Sequence, residues 1–472
     1  MKKLMLLTGI LAFLLASCGD PIIENPTFWA QDFRNGKDGE FYGVDAELLY
    51  EGTRCNVWGE KGSATKEDAK KVADKFDTSI YQKMVNNFGF TDAGIELDGG
   101  GIANTTMELA DWYGDGDGKL CILLLDIKDD YSASNRTYTA GYFWAGDLMQ
   151  KDNSEYKYSN EKDMIFIDTN PGLKNDTENT YATLAHEMQH MMSFVTGQMT
   201  RNRAFDTWVD EGLSSAAEWV YFNNLTSNGR VKSYTDNRSG LINKGNNFFV
   251  WDNHRDNNFA LLDDYSTVYL FFQWLRIQAD STTDIYKYII TSEYSDYNAV
   301  TDSFSYMKDD NSYLSWPKLL ETWLAANRIS DPSNIYGYKG QITIKAPYVP
   351  ANTSSLSLSP GEGVYSKTTA KPDVNSTGNI QYTYLLSSGT GDHSSGADLL
   401  TFNKNAIAEG GAEIGTTVAS VNVVPEERYV QPLSNELIRI DAGDMMRRNG
   451  NWNVSGYPRS NMARRIITNE NK

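Results

Sequence analysis

The spacing of apolar and polar residues divides the chain into a region that mixes helices with strands and a later region rich in strands. Apolar or alternating runs predict strands at residues 46–50, 54–58, 120–125, 137–144 and 164–167. Apolar positions at helical spacing predict helices at residues 66–88, 184–195, 207–220, 263–275, 285–290 and 318–327. From residue 335 the helical spacing fades, and strand-like runs follow at residues 341–344, 381–386 and 416–424. The pattern predicts an α+β fold with a β-rich C-terminal domain.

The predicted helix at residues 184–195 carries an apolar stripe on one side only. The stripe consists of Leu184, Met188, Met191, Met192 and Val195. His186 and His190 lie roughly 200° from its centre, so they face away from the core that the stripe contacts. The candidate N-caps upstream are Asn175, Asp176 and Thr177, and Gly197 is the expected C-cap.

The polar side of this helix contains the sequence His186-Glu187-Met188-Gln189-His190. Two imidazoles one turn apart can bind a single metal ion, while Glu187 is offset by roughly 100° and lies beside the metal. This HExxH arrangement is typical of a zinc hydrolase, in which the carboxylate takes a proton from water on the metal. The alternative is a chance pair of helical histidines, but the chain has only 4 histidines, and about 10⁻³ accidental matches are expected.

The third metal ligand is expected in the next helix. Ser193 and Thr196 stand where an extended metzincin pattern would need glycine and histidine, so that class is excluded. Downstream, Glu211 and Glu218 share the polar side of a helix, and we expect Glu211 to be the third ligand. Glu218 is expected either to accept a hydrogen bond from a ligand imidazole or to lie in a solvated helix face. Asp210 could compete for the metal, but it lies about 100° off the line of the two glutamates.

The sequence HEMQH followed by WVDEGLSSAAE resembles the gluzincin metallopeptidases. Further stretches resemble the hyicolysin family of secreted bacterial zinc peptidases: CNVW, KFDTSIY, DGDGKLCILLLDIKD, GYFWAGD and NEKDMIFIDTNP. The resemblance covers roughly residues 40–340. It implies a thermolysin-like zincin domain with a mixed sheet, a central HExxH helix and a helical lower half. It also implies one Zn²⁺ held by His186, His190 and Glu211, Glu187 as the general base, and a peptide or protein substrate.

The resemblance further implies a tyrosine or histidine that donates a hydrogen bond to the oxyanion of the substrate. Tyr265 is the candidate, in the first turn of a helix capped by Asp263 or Asp264. Tyr269 and His254 are alternatives, as is a tyrosine that only packs. Residues 223–258, rich in Asn, are predicted to be loop. A strand just before the helix at residues 184–195 is expected to form the edge of the substrate cleft. Residues 142–144 are expected either to line this cleft or to lie in the core.

The N-terminal residues predict export and lipidation. Lys2 and Lys3 precede an apolar run at residues 4–15 that is too short to span a bilayer. Leu15-Ala16-Ser17-Cys18 looks like a bacterial lipobox, which predicts cleavage before Cys18 and a lipid on its thiol; an ordinary signal peptide is the alternative. The expected divisions are a signal peptide at 1–17, a tether at 18–39, a zinc peptidase domain at 40–334 and the C-terminal domain at 335–472. The mature protein is expected to be extracytoplasmic and lipid-anchored, at the outer membrane or cell surface.

Charge and residue content limit the partners, the cysteine chemistry and the further metal sites that the chain could have. A formal charge of -19 argues against nucleic acid or anionic lipid as a partner. Cys55 and Cys121 lie in apolar contexts and are expected to form either a disulfide or two buried thiols. Residues 115–118, Asp-Gly-Asp-Gly, are expected to form a tight turn. Calcium there is a weaker alternative, because position six of an EF-hand loop would be Leu120.

The sequence therefore predicts a cell-surface zinc-dependent endopeptidase. Two alternatives stay open at this point. One is a gluzincin-type aminopeptidase, although no motif for holding a free α-amine stands out before the HExxH sequence. The other is a non-catalytic binding lipoprotein built on a peptidase scaffold.

Overall fold

The computed structural model describes the chain in segments. These are residues 26–37, 39–88, 118–149, 151, 156–199, 204–237, 240–245, 248, 258–279, 282–308, 314–350, 356–358, 360–367, 379–387, 389–391, 398–405, 419–421 and 438–441. The predicted signal peptide, Cys18, Gly89, residues 94–104, Asp115, Asp117, His254 and the remainder of 416–424 lie outside the described residues.

The strands form a mixed sheet, a C-terminal sheet and two smaller pairs. They are β1 Phe28–Gln31, β2 Phe41–Val44, β3 Ala46–Glu51, β4 Cys55–Glu60, β5 Leu120–Leu125, β6 Thr137–Tyr142, β7 Met164–Asp168, β8 Leu356–Leu358, β9 Gly363–Lys367, β10 Ile380–Leu386, β11 Gly389–Gly391, β12 Asp398–Asn403, β13 Ala419–Val421 and β14 Ile438–Asp441. The large sheet has the order β14-β6-β7-β5-β4-β3. In this sheet β4, β5 and β7 are parallel, whereas β3 and β6 run antiparallel to their inner neighbours.

The strand β5 is apolar throughout and lies at the centre of this sheet, between β7 and β4. Every residue of β5 is buried, because the strand has neighbours on both edges and is covered on both faces. Cys55 and Cys121 belong to core clusters on opposite faces of the sheet, because Cys55 pairs with Leu120 and Asn56 pairs with Cys121. The two cysteines are therefore separate buried thiols, the second of the two arrangements expected from the sequence.

The helices pack on one another and on both the large sheet and the C-terminal sheet. They are α1 Lys66–Lys75, α2 Tyr81–Asn87, α3 Thr177–Ser193, α4 Thr207–Phe222, α5 Arg230–Asp236, α6 Asn258–Gln278, α7 Asp284–Thr291, α8 Tyr297–Met307 and α9 Trp316–Ile329. A π-helical turn at Phe76–Ile80 joins α1 to α2, so the helix predicted at residues 66–88 is confirmed.

The helix α3 lies between the sheet and α4. Tyr138 of β6 contacts Asp176 at the start of α3, and Phe143 lies 6.1 Å from Phe194, just past its end. The strand β6 therefore runs along the helix. Asp176 is the N-cap as predicted, but a π-helical turn at Phe194–Met199 passes through Gly197, so the predicted C-cap is wrong.

Contacts along α3 and α4 show that the two helices are antiparallel. Tyr221 near the end of α4 donates a hydrogen bond to Glu178 at the start of α3, and His190 near the end of α3 contacts Asp210 at the start of α4. Gly212 permits close packing on the far side of α4, because a Cβ there would collide with the Phe272 ring of α6.

Three predictions of local structure are wrong. Residues 223–258 are not all loop, since they include α5 and a 3₁₀ turn at Ile242–Lys244. The helix α6 begins at Asn258, so Asp263 and Asp264 lie inside it instead of capping it. Residues 341–344 form no strand, because the backbone N–H of Ile344 binds the Ser330 hydroxyl beyond α9.

The described C-terminal residues are rich in strands, as predicted. The antiparallel sheet β11-β10-β12-β9 packs on α9. Tyr365 donates a hydrogen bond to the Leu324 carbonyl oxygen at 2.8 Å, and Arg328 forms a 2.7 Å ion pair with Asp398. Side chains of this sheet belong to the same apolar core as α3. The expected domain boundaries therefore remain predictions.

In the part of the chain that the structure describes, no helix combines the length and apolar character needed to cross a bilayer.

Candidate metal centre

The antiparallel helices α3 and α4 bring three predicted ligands together. Among the described residues, His186, His190 and Glu211 form the group whose ligand atoms all lie within 4.8 Å of one another. His186 and Glu211 are fully buried, and His190 is 4 % exposed. Two of the three come from the HExxH helix and the third from the start of α4, as the sequence predicts.

The distances within this group fit a tetrahedral metal ion. Zinc bound at about 2.1 Å would hold any two tetrahedral ligand atoms ~3.4 Å apart. The Glu211 Oε2 atom lies 3.3 Å from His186 Nε2 and 3.5 Å from His190 Nε2. These distances are longer than a good hydrogen bond. The donor set, two imidazoles and one carboxylate, is also one that zinc prefers, so the residues present fit the ion.

The Nδ1 atom of each histidine contacts a carboxylate. His190 Nδ1 lies 2.9 Å from Asp210 Oδ2 and 3.1 Å from Ser214 Oγ. His186 Nδ1 lies 3.2 Å from Glu218 Oε1. The hydrogen bonds at His190 Nδ1 and the ion-pair contact at His186 Nδ1 restrict the two rings, and both Nε2 atoms face Glu211 Oε2. The structure therefore places Glu218 at the position expected of an imidazole partner.

The contact of Asp210 with His190 was not predicted from the sequence. By its position in the helix, Asp210 was only a rival ligand, disfavoured by its angle to Glu211. That same angle lets Asp210 reach the outer nitrogen of His190 while Glu211 reaches the inner one. The adjacent acids Asp210 and Glu211 near the start of the helix were the available signal.

The electrostatics of the site favour a cation. Burial alone would lower the pKa of His190, but the carboxylates of Asp210 and Glu211 outweigh burial and raise the pKa well above its ordinary value. Burial would raise the pKa of Glu211, yet His190 and His186 hold it well below its usual range. Positive charge is thus stabilised where the three ligand atoms converge.

The predicted base, Glu187, lies between the two histidines in α3. Its side chain is fully buried. Being next to His186 in a helix, it is turned by roughly 100° from the ligand direction. Its role as a base remains a prediction.

The structure separates the candidates for the oxyanion donor. The Tyr265 ring lies 6.2 Å from the His186 ring and is fully buried, inside α6 and not in its first turn. The Tyr269 hydroxyl donates a hydrogen bond to the Leu225 carbonyl oxygen at 3.0 Å, which directs it into the fold. His254 lies outside the described residues. Tyr265 therefore remains the candidate.

The aromatic residues at the end of β6 belong to the core. Tyr142, Phe143 and Trp144 are at most 9 % exposed. The Tyr142 hydroxyl accepts a hydrogen bond from the backbone N–H of Gln31 at 2.9 Å, and its ring stacks on Phe166. Of the two roles expected for these residues, the structure supports packing.

Comparisons with known proteins agree with this geometry. Residues 46–240 match the family described as Peptidase M30. The chain is 28% identical over 302 residues to the neutral metalloprotease ShpI of Staphylococcus hyicus. That alignment covers 62% of this chain and 61% of the relative, so the chain spans less than two thirds of the relative's length. Both helices that carry the candidate metal ligands lie within residues 46–240, and this part of the chain is therefore similar to the Peptidase M30 metallopeptidases.

Proposed function

We propose that this protein is a zinc-dependent peptidase that hydrolyses internal peptide bonds. The observation that carries the proposal is the convergence of His186, His190 and Glu211 at the spacing of a tetrahedral zinc site. The similarity to a neutral metalloprotease supports the same chemistry. Peptides or proteins are the proposed substrate class.

Each residue of the site would have its own role in hydrolysis. His186, His190 and Glu211 would hold Zn²⁺, which when bound polarises the scissile carbonyl and acidifies the attacking water. The Glu187 carboxylate would accept the proton of that water and return it to the leaving amine. The Tyr265 hydroxyl would donate a hydrogen bond to the oxyanion that develops on the substrate. Asp210 and Glu218 would hold the two imidazoles in place.

The substitution Glu187→Gln tests this proposal. It keeps the size of the side chain and leaves the three candidate ligands in place, so bound zinc and the fold should be retained. Loss of the base should lower the rate of casein cleavage by about 10² to 10⁴-fold. The matched control is Glu178→Gln in the same helix, where the side chain is 65% exposed and should be dispensable.

Products and inhibition distinguish the alternatives. A zinc chelator should abolish cleavage by the unaltered protein, and the products should begin at internal residues of casein. Products that begin one residue from the substrate's N-terminus would support an aminopeptidase. Equal inertness of the zinc-loaded wild type and Glu187→Gln across a peptide library would leave only the binding-protein alternative.

We also propose that the mature chain begins at Cys18 and is held to a bacterial membrane by a lipid on that residue. The support is the sequence Leu15-Ala16-Ser17-Cys18 after a short apolar run. Cys18→Ser should release the protein into the soluble fraction and abolish incorporation of labelled fatty acid. Cys55→Ala should keep both. Fatty-acid labelling that survives Cys18→Ser would refute the anchor.

A further inference from the structure

The carboxylate of Glu218 contacts more than His186. Arg230 Nη2 donates a hydrogen bond to Glu218 Oε1 at 2.9 Å, and Asn228 Nδ2 donates one to Glu218 Oε2 at 2.9 Å. The oxygen that Arg230 binds is the same oxygen that faces His186 Nδ1. Both donors belong to one short segment, in which the Arg230 backbone N–H also binds Asn228 Oδ1 at 3.2 Å.

Burial makes this contact more than a surface ion pair. Arg230 is 5% exposed and Glu218 is fully buried, and buried charges are stable only when they are paired and hydrogen-bonded. Two hydrogen-bond donors, Arg230 Nη2 and Asn228 Nδ2, and the 3.2 Å contact with His186 Nδ1 converge on the Glu218 carboxylate. The positive charge of Arg230 also offsets a site that already contains the buried carboxylates of Asp210 and Glu211.

The guanidinium of Arg230 also contacts the candidate oxyanion donor. Its Cζ atom lies 4.8 Å from the centre of the Tyr265 ring. A planar cation over an aromatic face is attracted to the ring and restricts its position. The Arg230 side chain therefore contacts both the carboxylate beside His186 and the ring of Tyr265.

We propose that Arg230 is a positioning residue of the metal site, which acts on His186 through Glu218 and on Tyr265 through its guanidinium face. This inference rests on the proposed function. Without Arg230, the Glu218 carboxylate would lose a charged donor at the oxygen that holds the His186 ring. The His186 Nε2 atom would then be less well directed towards the metal. Zinc affinity should fall, and the geometry of the bound metal should change.

The experiment measures zinc affinity in the full chain by competition with a chelator, with Zn²⁺ alone as the probe. Arg230→Met should raise the zinc dissociation constant about 10- to 100-fold, the usual effect of losing an outer partner of a metal ligand. Arg230→Lys keeps the charge but loses the planar fork, so it should recover part of the affinity. This second variant keeps the test valid if Arg230→Met folds poorly.

The double variant tests whether the effect passes through Glu218. Arg230→Met combined with Glu218→Gln should bind zinc no more weakly than Glu218→Gln alone. The matched control is Arg276→Met. Arg276 is also a buried arginine, stacked over the Trp219 ring and bonded to Gln273 and Gln341. Its loss should leave the zinc dissociation constant of the folded protein unchanged.

Two further readouts separate positioning from general stability. The absorption spectrum of the cobalt(II)-substituted protein reports metal geometry and should change in Arg230→Met but not in Arg276→Met. Peptide hydrolysis by Arg230→Met should show a lower kcat even at saturating zinc.

The inference would be overturned by wild-type zinc affinity in Arg230→Met, or by additive losses in the double variant. Because zinc affinity is measured without a substrate, an inert wild type that shows the predicted affinity changes would refute the proposed function alone. A wild type that cleaves casein while Arg230→Met binds zinc normally would refute only the role of Arg230.

Discussion

The role of each residue in this site depends on which side-chain atom it presents and on the direction in which that atom points. The HExxH spacing is sufficient to predict that two imidazoles share a metal position, because helical geometry alone places them one turn apart. The contact of Asp210 with His190 could not be predicted in the same way. It depends on how α4 is rotated against α3, and a rotation of one residue position would have exchanged the places of Asp210 and Glu211.

Tyr265→Phe provides a test at the same scale. The change removes one hydroxyl and keeps the ring, which lies 6.2 Å from the His186 ring and 4.8 Å from Arg230 Cζ. If this hydroxyl stabilises the oxyanion, kcat for a peptide substrate should fall by about 10²-fold or more, while zinc content stays at the wild-type level. Tyr269→Phe is the matched control, since its hydroxyl binds the Leu225 carbonyl oxygen and should matter for stability instead. Normal turnover in Tyr265→Phe would remove this residue from the mechanism.

Among the helices and strands, the apolar pattern predicted an element well where that element is buried in the core. The strand β5 was predicted with its observed bounds because a buried strand is apolar throughout. The helix α5 was missed because it has seven residues in an Asn-rich stretch. The prediction of a strand at residues 341–344 is wrong because two alternating isoleucines do not specify a neighbouring strand with which to pair. The backbone there is satisfied by the end of α9, through Ala346 N–H and the Asn327 carbonyl oxygen.

The outer edge of β6 gives a test at this scale. A peptide was expected to pair with a strand beside the zinc helix, and β6 passes close to α3, since a Cβ at Gly141 would lie 2.8 Å from Thr183. Over Thr137–Gly141, however, β6 is paired in parallel with β14 of the same chain. A substrate that uses this edge must compete with β14 for the backbone hydrogen bonds.

We therefore expect a variant that weakens β14 to bind long peptides more tightly. Proline at both Arg439 and Ile440 removes two backbone donors from the strand. The KM for a long unstructured peptide should fall severalfold with zinc content unchanged, whereas Ile440→Val should behave as wild type. An unchanged or higher KM in the proline variant would show that substrate does not use this edge.

Across the whole molecule, the sequence predicted the fold class better than the long-range connections. The α+β organisation, the zinc helix and the strand-rich C-terminal region all follow from local periodicity. The pairing of β14 with β6 joins residues about 300 positions apart in the chain, and no local pattern encodes it. The same holds for the packing of the C-terminal sheet on α9, where Asp398 meets Arg328.

We propose that α3 and α4 together build one zinc site. The most direct measurement is an anomalous difference map at the zinc absorption edge, from crystals of the full chain grown with Zn²⁺. The predicted result is a single strong peak coordinated by His186 Nε2, His190 Nε2 and a Glu211 carboxylate oxygen, at about 2.0–2.2 Å from each. A map without a peak between these atoms, or zinc bound through Asp210 in place of Glu211, would contradict the account.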